Sequence, residues 1–244
     1  MTANVPTYPI KLGVMLGPLL FFLCGAADAS DGRVIVNPAP PGETISSHYH
    51  VTAAGQELPV YTARVAPADE ERRWKAMDDK KNSADYFDTA AFASFDMEGA
   101  VSVTVTVAHA VSAAKVLPAS AGIHPAIRGN SVSFTVSSPR NLTVEINGEW
   151  VKSLHLFANP IETDVPRADD PKVVYFGPGV HEVSRRVVGD NQTVYIAGGA
   201  VVRAVIAPDE EFGVSRHSGL RTYAPTFELR GSNIAFRGRG ILDA

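Results

Sequence analysis

Three stretches in the last third of the chain repeat one pattern. Val173-Val174-Tyr175-Phe176-Gly177-Pro178-Gly179-Val180-His181, Thr193-Val194-Tyr195-Ile196-Ala197-Gly198-Gly199-Ala200-Val201-Val202 and Ile234-Ala235-Phe236-Arg237-Gly238-Arg239-Gly240-Ile241-Leu242 each join a short apolar strand, a glycine-rich corner and a second short strand. Repetition of this kind predicts strands stacked coil upon coil, a parallel β-helix. Each coil buries its apolar face only against its neighbours. A stack ending at Asp243 and Ala244 would leave a sheet edge and a core face uncovered, so residues 173–244 are expected to be the first rungs of a truncated helix, the front of a longer protein. The extra length from Pro208 to Pro225, with Asp209-Glu210-Glu211, reads as a loop thrown out from a corner, and Phe227-Glu228-Leu229-Arg230 as its return to the wall.

Residues 30–159 read differently. Apolar positions alternate in short runs broken by turn residues, as in an all-β, Ig-like sandwich. Val101 to Val107 places Val on one face and Ser or Thr on the other, and Ser131 to Val136 repeats the alternation. Asn147-Gly148 supplies the positive φ angles of a tight hairpin turn, and Ala53-Ala54-Gly55-Gln56 is expected to turn His50-Val51-Thr52 back into Leu58-Pro59-Val60-Tyr61. Pro67 to Ala84 carries acidic residues ahead of basic ones, which predicts a short surface helix or a solvated loop. Residues 160–172, with Pro160, Pro166 and Pro171 among acidic side chains, read as the linker between the two parts.

At the amino terminus a lone cation, Lys11, precedes an apolar run from Leu12 to Cys24 and then Ala27-Asp28-Ala29. This is the layout of a cleavable secretory signal over residues 1–29, with a buried strand or an uncleaved anchor as the alternatives. Cleavage after Ala29 removes Lys11 and Asp28 together, so the net charge stays at −4, and it removes the one cysteine. The expected product is a secreted, soluble chain, extracellular or periplasmic, without disulfide or thiolate chemistry. A charge of −4 spread along the sequence gives no reason to expect nucleic acid or a membrane surface as partner.

Ser153-Leu154-His155-Leu156-Phe157-Ala158-Asn159-Pro160, followed by the three repeats and by Gly238-Arg239-Gly240-Ile241-Leu242-Asp243, resembles the start of the catalytic helix in the dextranase and polygalacturonase superfamily. These are secreted glycoside hydrolases of the pectin-lyase-like fold, of family 49 or 28 type. The resemblance implies a β-sandwich followed by a right-handed parallel β-helix, a polysaccharide substrate such as a dextran-like glucan or a pectic polymer, and inverting acid/base hydrolysis without metal or cofactor. Ala204 and Ala244 stand where that superfamily often has glycine. A non-catalytic carbohydrate-binding or adhesive β-helix protein is the alternative reading, and a lyase on the same fold a third.

Hydrolysis of a glycosidic bond needs two carboxyl groups flanking it. The aspartate clusters and the Gly-His-Gly motif that the resemblance leads one to look for are absent from the repeats, so no catalytic, cofactor-binding or metal-binding residue is assigned, and the catalytic carboxylates are expected beyond residue 244. Asp169-Asp170 precedes the first repeat and reads as a solvated pair, as do Asp78 and Asp79. Glu182, Glu228 and Asp243 fall on or beside strands and read as solubilising. His48 and His50 share a strand face but lack a third ligand; His181 ends a repeat and His217 lies in the acidic loop. Trp74, Trp150 and Tyr223 offer rings for a sugar face, with hairpin packing the blander role for Trp150. No glycine-rich segment has dinucleotide-fingerprint spacing or precedes an amphipathic helix.

Overall fold

The computed structural model describes residues 32–43, 45–72, 87–217, 219 and 221–243. The expected signal segment lies outside this range, as do most of the acidic-basic stretch and, with it, Trp74, Asp78 and Asp79. The fold is all-β: among the described residues helix is confined to single short turns.

Residues 33–160 build two sheets. The first contains β1 (Arg33–Ile35), β4 (Tyr61–Val65), β5 (Asp88–Glu98), β7 (Ala114–Leu117), β10 (Arg140–Ile146) and β11 (Leu154–Pro160), in the order β1-β5-β11-β10-β7 with β4 on β5. The second runs β3 (Gln56–Leu58), β2 (Tyr49–Ala53), β6 (Val101–Val107), β9 (Ser131–Val136), β8 (Ala126–Arg128). Their facing side chains form one core. In β6 the alternation decides the face: Val101, Val103, Val105 and Val107 are buried, while the Ser and Thr between them turn away. Each valine taken fully out of water contributes roughly 1.5–3 kcal/mol of transfer free energy.

The two turns expected from the sequence form, with a difference in each. Asn147 and Gly148 both take positive φ, but β11 does not begin until Leu154, because a 3-10 turn over Trp150–Lys152 intervenes. The Asn147 carboxamide is held elsewhere: its oxygen accepts from the backbone N–H groups of Ser112 and Ala113, and its nitrogen donates to Ala110 O. Ala54 and Gly55 turn β2 into β3 as expected. Beyond Pro59, however, the chain leaves that sheet, and Tyr61–Val65 pairs with β5 in the other. Proline has no N–H to continue the ladder, so the strand is free to change partners.

From Val173 onward the strands pair in parallel. β12 (Val173–Phe176), β15 (Thr193–Ile196) and β20 (Ala235–Gly238) form one sheet, and β13 (Gly179–Val183), β16 (Ala200–Ala204) and β21 (Ile241–Asp243) a second; β14 (Arg186–Val188) pairs with β19 (Phe227–Leu229). The repeats read from the sequence are thus in register, Val174 against Val194 against Phe236 and His181 against Val202 against Leu242. The excursion between β16 and β19 holds an antiparallel hairpin, β17 (Phe212–Val214) with β18 (Arg221–Tyr223), and Phe227–Leu229 does return to the wall.

Inside the stack, Val188, Val194 and Val202 are fully buried, whereas their register partners Leu229, Phe236 and Leu242 are 53%, 41% and 43% exposed. Gly238 is required by geometry. It has φ of 137° and its α-carbon passes so close to the Ile196 carbonyl that a β-carbon would overlap it.

Candidate functional site

A groove of about 610 Å³ opens where β4 and β5 face β16 and β21. Its first wall is aromatic. Tyr61 lies directly across from Phe92 in the ladder, and their rings stack at 5.4 Å between centroids; Phe157, on the neighbouring strand, meets Phe92 edge-on at 6.5 Å. Arg64 reaches over the Phe87 ring at 5.5 Å. Burial, and then the charge of Glu43, pushes the Tyr61 phenol above its usual range, so it stays a neutral donor.

The opposite wall carries charge in a ladder. Parallel register places Glu182, Arg203 and Asp243 in line across β13, β16 and β21. Arg203 Nη2 donates to both Glu43 oxygens at 2.9 and 2.8 Å, and its Nε lies 3.6 Å from Asp243. The two carboxylates that border the groove therefore share one guanidinium. Both carboxylates thus face the same cation, while glycoside hydrolysis needs two carboxyl groups on either side of the scissile bond. Of these residues the sequence reading singled out Glu182 and Asp243. Glu43, Tyr61, Phe92 and Arg203 gave no signal, because the groove exists only once β4 has crossed to the first sheet.

The remaining candidates are dispersed. Glu228 is bonded to Arg230 and to Arg185, and these two guanidinium groups hold its carboxyl below the usual carboxylate range. Asp169 is exposed and held low by Arg167, while Asp170 accepts from the Lys172 N–H, as suits a solvated pair. His50 pairs with Glu57 at 3.3 Å, and among the described residues no three His, Cys, Asp or Glu side chains converge as metal ligands. His181 bonds the Gly177 carbonyl oxygen at 2.7 Å and packs edge-on against Phe176, a place in the wall. His217 is exposed in the loop joining β17 to β18, and Tyr223 packs against Phe212. Trp150, for which hairpin packing was expected, is 62% exposed, because it opens the 3-10 turn and does not ride on a returning strand.

A second polar cluster joins β5 to the corner after β20. Asp96, 3% exposed, accepts from Arg239 Nε at 2.6 Å and from the Glu162 N–H at 3.1 Å. Arg239 also donates to Pro160 O at 2.7 Å. Nearby, the Tyr195 hydroxyl donates to Glu162 at 2.6 Å, and its ring stacks on Tyr175 at 5.3 Å with Arg237 over it at 5.6 Å. The sequence reading missed this cluster; the signal that could have found it is Asp96, an acidic residue between Phe95 and Met97 near the end of β5. Asp96 and Tyr195 are buried, Glu162, Tyr175, Arg237 and Arg239 partly so, and their contacts fasten segments together.

Seven chains of known structure resemble this one. Among them is Dex49A from Penicillium minioluteum, which superposes with a TM-score of 0.50 at 14% sequence identity, over 85% of this chain and 56% of that one. At that identity the likeness speaks for the fold alone. The chain thus spans little more than half the length of that neighbour. No family model matches the chain, and no curated protein does.

Proposed function

We propose that the chain is the amino-terminal part of a secreted glycoside hydrolase acting on a polysaccharide, a dextran-like glucan or a pectic polymer. In this reading residues 1–29 are a signal peptide, 30–159 a β-sandwich, 160–172 a linker, and 173–244 the first rungs of a right-handed parallel β-helix. The observation that carries it is the in-register parallel stacking of β12-β15-β20 and β13-β16-β21 in a chain whose likeness to Dex49A extends over 85% of its length. The aromatic wall of the groove supports it further, since the faces of Tyr61 and Phe92 suit the C–H faces of sugar rings.

The bond-breaking groups belong beyond residue 244 in this proposal. There one carboxylic acid protonates the glycosidic oxygen as the bond breaks, and a carboxylate on the opposite face takes a proton from the attacking water, inverting the anomeric centre. The engagement of both Glu43 and Asp243 by Arg203 favours a second reading for the segment itself, that of a carbohydrate-binding module without chemistry.

The test is to compare residues 30–244 with a product extended through the downstream reading frame, measuring reducing ends released from dextran and polygalacturonate. Release by the extended product alone is the expected result. Release by 30–244 would refute the placement of the carboxylates, and no release by either would leave the binding reading in place of the hydrolase.

A further inference from the structure

A second cavity, of about 270 Å³, lies between the two sheets, where Tyr49 and Val107 of the second sheet face Thr89, Ala90 and Ala91 of the first. We infer that it is a binding site for a single neutral sugar residue, distinct from the groove and independent of the hydrolase reading. Three features carry this.

The wall is built and held. The turn containing Glu149 and Lys152 closes one side, and it is fixed at three points: Tyr49 donates its hydroxyl proton to Lys152 O at 2.8 Å, Ser153 Oγ donates to Trp150 O at 2.7 Å, and the Ala91 N–H donates to Ser153 O at 3.1 Å. A wall tied down before the ligand arrives costs little ordering entropy on binding.

The size admits one ring. Pockets for drug-sized ligands run from about 300 to 1,000 Å³, so a cavity just below that range fits one pyranose ring.

The chemistry suits hydroxyl groups without net charge. Glu149 and Lys152 lie 4.0 Å apart and balance each other. Among the described residues the His48 and His109 imidazoles, both lining the cavity, have no protein partner. An uncharged imidazole donates at one nitrogen and accepts at the other, and the hydroxyls of Ser46, Thr62 and Thr89 do both. Ala90, Ala91 and Val107 give a small apolar floor for a ring face. An anionic ligand would meet Glu149 as well as Lys152, and an apolar one would strip water from the rim without replacing its hydrogen bonds.

Trp150 supplies the readout, since it sits exposed between the cavity-lining Glu149 and Lys152. In the chain carrying Trp74→Phe, the emission of Trp150 is followed during titration with the methyl α-glycosides of glucose, galactose and mannose, and with galacturonate, and the heats are measured by calorimetry. The expected result is saturable binding of at least one neutral glycoside, half-saturating on the order of 1 mM and weakened by about tenfold or more in Glu149→Gln and in His109→Ala. Both substituted side chains are exposed, so the variants keep the fold, which circular dichroism checks. Three results would overturn the assignment: no saturable signal or heat with any of the three glycosides, affinity unchanged in both variants, or galacturonate binding about tenfold tighter than every neutral glycoside.

Discussion

The buried Asp96 and the partly buried Arg239 form an ion pair across 143 positions of sequence, Oδ1 to Nε at 2.6 Å. It ties β5, an interior strand of the first sheet, to the corner that follows β20. A buried charge stripped of its partner is costly, more so than the pair is stabilising. Asp96→Ala also leaves the Glu162 N–H without its acceptor and is expected to cost about 1–3 kcal/mol of stability, read as a lower urea midpoint. Replacing both residues with apolar ones of matching size should recover much of that loss, which separates the cost of an orphaned charge from the value of the contact.

Alkaline stability should report two phenols, the half-buried Tyr49 and the buried Tyr195. Burial, reinforced by Glu149, pushes Tyr49 up to about 12, and burial together with the hydrogen bond to Glu162 raises Tyr195 further, against the opposing charge of Arg237. Between the ordinary tyrosine value, about 10, and the folded value the native state holds protons that the unfolded chain has lost. Stability is then fully present below about pH 10 and falls as pH rises through the folded value. Absorbance of phenolate during a pH titration should show two tyrosines ionising late, and Glu162→Gln should bring Tyr195 earlier without moving Tyr49.

Two glycines of positive φ should respond unequally to alanine. At Gly148 nothing lies near the position of the new β-carbon, so only the left-handed backbone is strained, at about 1–2 kcal/mol. At Gly238 the methyl meets the Ile196 carbonyl as well, and the loss should be about 3 kcal/mol or more. Thermal unfolding of the two variants measures the difference.

If the groove seats polysaccharide, its stacked pair is the anchor. Tyr61→Ala and Phe92→Ala should each reduce retention on immobilised glycan by about tenfold, near 1.4 kcal/mol. Tyr61→Phe should lose far less. Affinity electrophoresis against dextran and pectin distinguishes these outcomes.

The repeats were readable because stacking demands the same residue types at the same places: Val174, Val194 and Phe236 had to match to share an inner face. The strand alternation of Val101 to Val107 was readable for a similar reason, since local period and burial coincide. The groove was not. Tyr61 and Phe92 become neighbours only after the chain changes sheets at Pro59, and Arg203 meets Glu43 across 160 positions. Contacts of that range depend on how whole sheets pack, and no spacing within a segment encodes them. Asp96 was missed as well: an acidic residue between Phe95 and Met97 hints at a partner, but nothing in the local pattern names Arg239.

During synthesis the carboxyl of Asp96 leaves the ribosome long before the guanidinium that will neutralise it. Until Arg239 follows, β5 must either keep that oxygen in water or shelter it without its cation, so the first sheet gains this ionic contact only from the repeats made after it. Domains assembled from the amino terminus onward usually close as they are made; here one contact of the first sheet is completed last, once the third repeat has been made.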